Sequence, residues 1–114
     1  MKAILASILL ASIAVAAPAW AHAKLTSSEP KANASIKSPS LIRLVFSESL
    51  EPAFSGASLS ELAGKTIPVS AAVGSTTITL MPLALKPGAY KVTWHSVGHD
   101  THRVSGSFHF TVIP

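Results

Sequence analysis

Tyr90-Lys91-Val92-Thr93-Trp94-His95 and Ser107-Phe108-His109-Phe110-Thr111-Val112 are the stretches whose reading decides the fold. In each, bulky apolar side chains fall on every second residue: Tyr90, Val92 and Trp94 in the first, Phe108, Phe110 and Val112 in the second. Successive side chains of an extended backbone point to opposite faces, so this spacing puts one face in a core and the other in water. Just upstream, Lys86-Pro87-Gly88-Ala89 has Pro second and Gly third, as a type II turn prefers. Thr76 to Leu80 and Ala57 to Leu62 alternate in the same way, and Ala63-Gly64-Lys65 turns into Thr66-Ile67-Pro68-Val69. Leu41 to Phe46 is a further β-rich run, set between Pro39-Ser40 and Ser47-Glu48. About seven short strands punctuated by Pro and Gly predict an all-β chain folded as an antiparallel two-sheet β-sandwich.

The chain has 114 residues, enough for one domain. Its start has a different character from the rest. Met1-Lys2 is a short positive tip, and Ala3 to Ala17 contains only apolar residues and Ser. Pro18-Ala19-Trp20-Ala21 then ends in small residues at the positions that precede a cut. This pattern is that of a secretory signal peptide. The apolar run is short for a membrane-spanning helix, which needs roughly 20 such residues. Cleavage after Ala21 leaves His22 as the first residue of a domain covering 22–114; cleavage after Ala23 fits the same small-residue rule and would discard His22. The first cut is preferred, because Trp20 and Ala21 then closely follow the Pro18 that breaks the apolar helix. The positive mean hydropathy comes from this leader and does not indicate a membrane-embedded protein.

Without Lys2 the chain carries eight Lys and Arg against five Asp and Glu, a mild net charge of +3. The charges are scattered singly, so the basic patch that nucleic acid requires is missing. Cysteine is absent. That excludes a disulfide framework and any thiolate metal site, and leaves nitrogen and oxygen as the available metal ligands.

Five histidines therefore matter. His95 and His109 flank core-facing aromatic residues on strands and are expected on the solvent face. His99-Asp100-Thr101-His102 lies in the loop between the two clearest strands, where a rigid scaffold usually mounts ligands. On extended backbone, Asp100 and His102 share a face and reach one point. A histidine at the N-terminus supplies two nitrogens, its α-amine and Nδ1. Such groups ordinarily titrate near ~8 and ~6.5, so a metal can displace their protons at neutral pH. His22 and His102 then provide three nitrogens and Asp100 one oxygen, a set that suits the tetragonal preference of Cu(II).

Four motifs extend this reading over residues 22–114. They are His22-Ala23-x-Leu25 with Ser28-Glu29-Pro30, then Phe46-Ser47-Glu48, then Leu85 to Trp94 with its Pro-Gly-x-Tyr-x-Val-x-Trp pattern, and finally Asp100-x-His102 followed by Gly106-x-Phe108-x-Phe110. In that order they resemble the bacterial periplasmic copper-resistance proteins of the CopC type. The resemblance implies a Greek-key, immunoglobulin-like sandwich, removal of the leader after Ala21, and export to the periplasm. It implies one Cu(II) per chain, held by His22, Asp100 and His102, with Glu48 as a weak axial ligand or outer partner. A CopD-like inner-membrane copper transporter is the implied receiver. The sequence departs from the fuller family pattern in two places. The stretch Ser58 to Val73 contains neither Met nor His, and Met81 is the only methionine after the leader, so no thioether Cu(I) site is expected. His99 stands where relatives often have Ser, which makes it a candidate outer group around the metal.

The leading expectation is a binding protein that captures, buffers or delivers Cu(II) without turnover. The rival from another class is a copper monooxygenase, whose histidine brace also uses an N-terminal histidine. Asp100 separates the two, because an anionic oxygen in the metal plane favours Cu(II) and fills the position that oxygen chemistry needs open.

Overall fold

The two alternating stretches lie within the longest strands among the described residues and pair with each other. The structure, a computed structural model, describes residues 22–114, and the expected leader at residues 1–21 lies outside them. Nine strands form among the described residues: β1 (Leu25–Glu29), β2 (Ser35–Ile36), β3 (Ile42–Phe46), β4 (Gly56–Glu61), β5 (Thr66–Ile67), β6 (Ser70–Val73), β7 (Thr77–Met81), β8 (Gly88–Val97) and β9 (Arg103–Val112). Sheet one has the order β1-β3-β7-β6 and sheet two the order β2-β9-β8-β4-β5. The chain passes between sheets after β1, β2, β3, β5 and β7, which gives the Greek-key character of the sandwich.

The period-two pattern explains the core. Ile42, Leu44 and Phe46 of β3, with Ile78 and Leu80 of β7, face inward from sheet one. Leu59 of β4, Tyr90, Val92 and Trp94 of β8, and Phe108, Phe110 and Val112 of β9 meet them from sheet two. The β8–β9 ladder runs unbroken from Gly88↔Val112 to Val97↔Arg103, and Tyr90 stacks on its cross-strand partner Phe110 at 5.8 Å. Phe46 and Trp94 make an edge-to-face contact between the sheets, centroids 5.3 Å apart. Trp94 also explains Gly106, its partner on β9. A Cβ added there would lie 2.5 Å from Cζ2 and 2.8 Å from Cε2 of the indole, which rests on the glycine backbone. Gly106→Ala is therefore expected to destabilise the fold by about 1–3 kcal/mol through overpacking. A urea titration checks this: the midpoint should fall while the slope stays that of the wild type.

The strand count and directions differ from the expectation in instructive ways. Thr66 to Val69 is not one strand. Pro68 cannot donate to a ladder, so the chain leaves sheet two after Ile67 and joins sheet one at Ser70. The sandwich is also not wholly antiparallel, because β2 runs parallel to β9 through Ser35↔Thr111 and Ile36↔Val112. That short contact satisfies the outward edge of β9: Thr111 N–H donates to Ala34 O and Ile113 N–H to Ile36 O, both at 2.8 Å. Two-residue pairings of this kind have no periodicity to read.

Candidate metal centre

The site forms where the chain enters the sandwich, at the end that carries the β8–β9 turn. Its first determinant is a β-bulge in β1. Leu25 stands opposite Phe46 and Ser27 opposite Val45, so two steps along β1 match one along β3. Thr26 occupies the extra position and its hydroxyl donates to Val45 O at 3.1 Å. Bulges re-aim the chain next to functional groups. Here Leu25 packs against the core and Ala23 is fully buried within it.

Both sheets grip this segment. From the end of β3, Ser47 Oγ accepts the Lys24 N–H at 3.0 Å and donates to His22 O at 3.3 Å. Ser47 N–H also donates to Lys24 O at 2.8 Å. From β8, the fully buried Ser96 donates its hydroxyl to Ala23 O at 2.5 Å. The turn after β8 passes alongside, since a Cβ on Gly98 would touch Ala23 Cβ at 3.5 Å and Asp100 Oδ1 at 3.6 Å. His22 is thereby brought against the loop that holds Asp100 and His102.

Asp100 and His102 converge by a different route from the extended backbone expected. Residues 98–101 form a turn closed by Thr101 N–H to Gly98 O at 3.0 Å, and Thr101 is left-handed with φ 65°. A β-branched residue rarely adopts that conformation. It is held by the Asp100 carboxylate, whose Oδ1 accepts the His102 N–H at 3.1 Å. The loop folds back on Asp100, and this brings the carboxylate within reach of both imidazoles.

His22 Nδ1 lies 2.8 Å and His102 Nδ1 3.2 Å from the same atom, Asp100 Oδ2. The two rings are 5.0 Å apart at their centroids, and one ligand atom from each of the three residues falls within 4.8 Å of the others. Asp100 is the most enclosed of the three, with 21 % of its side chain exposed against 41 % for His22 and 70 % for His102, so the cluster is open to solvent on the His102 side. Desolvation raises the Asp100 pKa, but the His102 backbone N–H, the His102 ring and the charges of His22 and His102 outweigh it and hold the carboxyl below its usual range.

His22 Nδ1 is buried and has no hydrogen-bond partner. Asp100 Oδ2 is near enough, but off the line that a ring N–H requires. An imidazole nitrogen orphaned beside a carboxylate oxygen is the arrangement a cation completes. The His22 spacing fits as well: with bonds of about 2.0–2.1 Å, neighbouring ligands at right angles lie ~2.8–3.0 Å apart, and His22 Nδ1 is 2.8 Å from Asp100 Oδ2.

The other expected residues fall outside this group. Glu48 is half-buried and is not part of the cluster. His99 turns away toward Glu51, with Nδ1 3.7 Å from Oε1 and both side chains well exposed. His109 is on the solvent face as expected. His95 is on the outer face but half-buried, in a groove of about 580 Å³ that Phe54, Val97, Thr101 and Arg103 also line. Burial and then the charge of Arg103 lower its pKa. Ser47 and Ser96 were not among the expected site residues, although Ser47 sits in the Phe-Ser-Glu motif. Their roles are contacts with a segment distant in sequence, Ser47 from the neighbouring strand and Ser96 from the opposite sheet, invisible to local pattern.

Comparison with known proteins decides the family. The model of the CopC domain matches residues 25–113. The chain belongs to the CopC family. Among curated CopC relatives, Copper resistance protein C of Pseudomonas syringae pv. tomato is 39 % identical over 112 residues, covering 90 % of this chain and 89 % of the relative. Protein YobA of Escherichia coli (strain K12) is 41 % identical over 99 residues, with 82 % and 80 % covered. The solved CopC of Methylosinus trichosporium OB3b superposes with a TM-score of 0.76 at 32 % identity, over 82 % of this chain and 95 % of that one. The Escherichia coli PcoC structure, described as a methionine-rich copper resistance protein, gives 0.74 at 35 % identity, over 82 % and 100 %. This CopC chain has only Met1 and Met81. Among its described residues no helix is long and apolar enough to cross a membrane.

Proposed function

We propose that this CopC protein, once cut after Ala21, binds one Cu(II) in the periplasm and captures, buffers or delivers it without turnover. The observation that carries the reading is the orphaned Nδ1 of His22, buried beside Asp100 Oδ2 at 2.8 Å with His102 Nδ1 3.2 Å from the same oxygen. Copper is the cargo. The α-amine of His22, freed by cleavage, joins Nδ1 in a chelate; Asp100 supplies an anionic oxygen and His102 a third nitrogen. That donor set favours Cu(II) over softer ions and over Zn(II) in the affinity order. Glu48, two residues past β3, would serve as an outer or axial group and His99, turned toward Glu51, as an outer group. A CopD-like inner-membrane transporter is the receiver this reading implies. Support for the copper assignment also comes from the family, whose curated members include copper resistance proteins.

Titration of protein beginning at His22 with Cu(II) at neutral pH tests the reading. A single equivalent should bind, giving the spectrum of a tetragonal Cu(II) centre, and binding should weaken as pH falls and protons reclaim the nitrogens. The same sample with ascorbate, peroxide and a chromogenic substrate should show no sustained turnover. Sustained turnover would move the protein to the monooxygenase class, and failure to bind one equivalent would end the proposal.

A further inference from the structure

We propose that Ser47 is the positioning residue that sets how long this protein retains Cu(II), because it fixes the backbone from which two of the ligands hang. The inference rests on the Cu(II) reading above and deepens it. A chain terminus is ordinarily poorly ordered unless something ties it down. His22 would carry both its amine and its imidazole at such a terminus, and a chelate held on a loose end loses the benefit of preorganisation.

Ser47 supplies the tie. A hydroxyl has one proton and two lone pairs, so it donates and accepts at once. The Ser47 hydroxyl uses both, accepting from Lys24 N–H at 3.0 Å and donating to His22 O at 3.3 Å. With the backbone bond from Ser47 N–H to Lys24 O at 2.8 Å, three contacts from one residue bracket Ala23. Holding the His22 carbonyl restricts rotation about its Cα–C bond. That rotation decides whether the amine and Nδ1 face Asp100 together. The bulge at Thr26 lies just beyond the bracketed stretch, so neither Lys24 nor His22 is secured by regular ladder pairing with β3.

Ser96 grips the same segment from the other sheet, but the two serines differ in burial. Ser96 is fully buried, so its loss strands the Ala23 carbonyl in the core and weakens the fold itself. Ser47 is exposed, so removing its hydroxyl opens no cavity and leaves the released groups to water. The effect of Ser47 on metal retention is therefore separable from its effect on folding.

The experiment uses protein beginning at His22 with Ser47→Ala and Ser47→Thr. Cu(II) release into excess chelator is followed by stopped flow, alongside thermal melting of the metal-free proteins. Ser47→Ala should release Cu(II) about 10- to 100-fold faster, the range typical for residues that orient metal ligands. Ser47→Thr, which keeps the hydroxyl, should stay close to the wild type. The metal-free proteins should melt within a few degrees of one another, and the spectra of the bound forms should match, since the ligands are unchanged. A release rate for Ser47→Ala within twofold of wild type overturns the proposal, as does an acceleration matched by loss of the metal-free fold. Hydrogen exchange of the metal-free protein tests the tie without copper: the Lys24 amide should be protected in the wild type and exposed in Ser47→Ala. Equal exchange there sinks the Ser47 inference whatever the metal does, whereas failure of the wild type to bind Cu(II) sinks the functional reading instead.

Discussion

One residue added ahead of His22 is expected to weaken Cu(II) binding by a factor on the order of 10² to 10⁴. The added peptide bond converts the His22 amine into an amide, which is no longer a basic donor. Nδ1 of His22, Asp100 and His102 all remain, so the loss isolates the chelate ring. A ring of this kind acts through effective concentration, because the second nitrogen is already beside the ion when the first has bound. His22 is half-exposed at the edge of the sandwich, so the extra residue has space and the fold should melt unchanged. Competition titration against a chelator of known affinity measures the effect. Equal affinity in the two proteins would remove the amine from the site. The same reasoning makes leader removal a condition for function, since the precursor carries its His22 nitrogen in a peptide bond.

Asp100→Asn should cost a further large factor, about 100-fold or more in Cu(II) affinity. Residues that merely orient ligands cost 10–100-fold when changed, and Asp100 is placed as a ligand itself. Asparagine preserves the size of the side chain and can still accept the His102 N–H now received by Oδ1 at 3.1 Å. What it removes is the charge at Oδ2, the one atom close to both imidazoles. Equilibrium competition at pH 7 checks this, and an affinity within threefold of wild type would exclude Asp100 as a ligand. The carboxyl is held below its usual range, so it is ionised throughout neutral conditions. Its contribution to the metal-free fold is present above its unfolded value of ~3.9 and lost as pH falls through the lower folded value. The asparagine variant should lack that acid dependence.

Much of this is legible in the sequence. The alternation at Tyr90, Val92 and Trp94 and at Phe108, Phe110 and Val112 specified the central hairpin, because a period of two has one meaning on a pleated strand. The cluster of His22, Asp100 and His102 was legible from motif order and from the chemistry of an N-terminal histidine. The short strands β2 and β6 were not, because two to four residues carry no periodicity and their pairing is decided by which sheet edge they reach. His95 looked like a solvated residue because period two places it outside; only the packing of Phe54 and Arg103 over that face half-buries it.

The sequence by itself determined the strand faces, the absence of sulfur ligands and the identity of the three clustered residues. Each of those follows from residue type or from spacing along one strand. Only the tertiary structure decided how the three residues meet. Asp100 and His102 converge through a left-handed Thr101 rather than through extended backbone, and His22 is delivered by a bulge in β1 and by hydroxyls from two different sheets. Ser47 lies 25 positions from His22, and Ser96 lies 73 from Ala23. Contacts that distant depend on where the sheets come to rest against each other, and no local pattern contains that information.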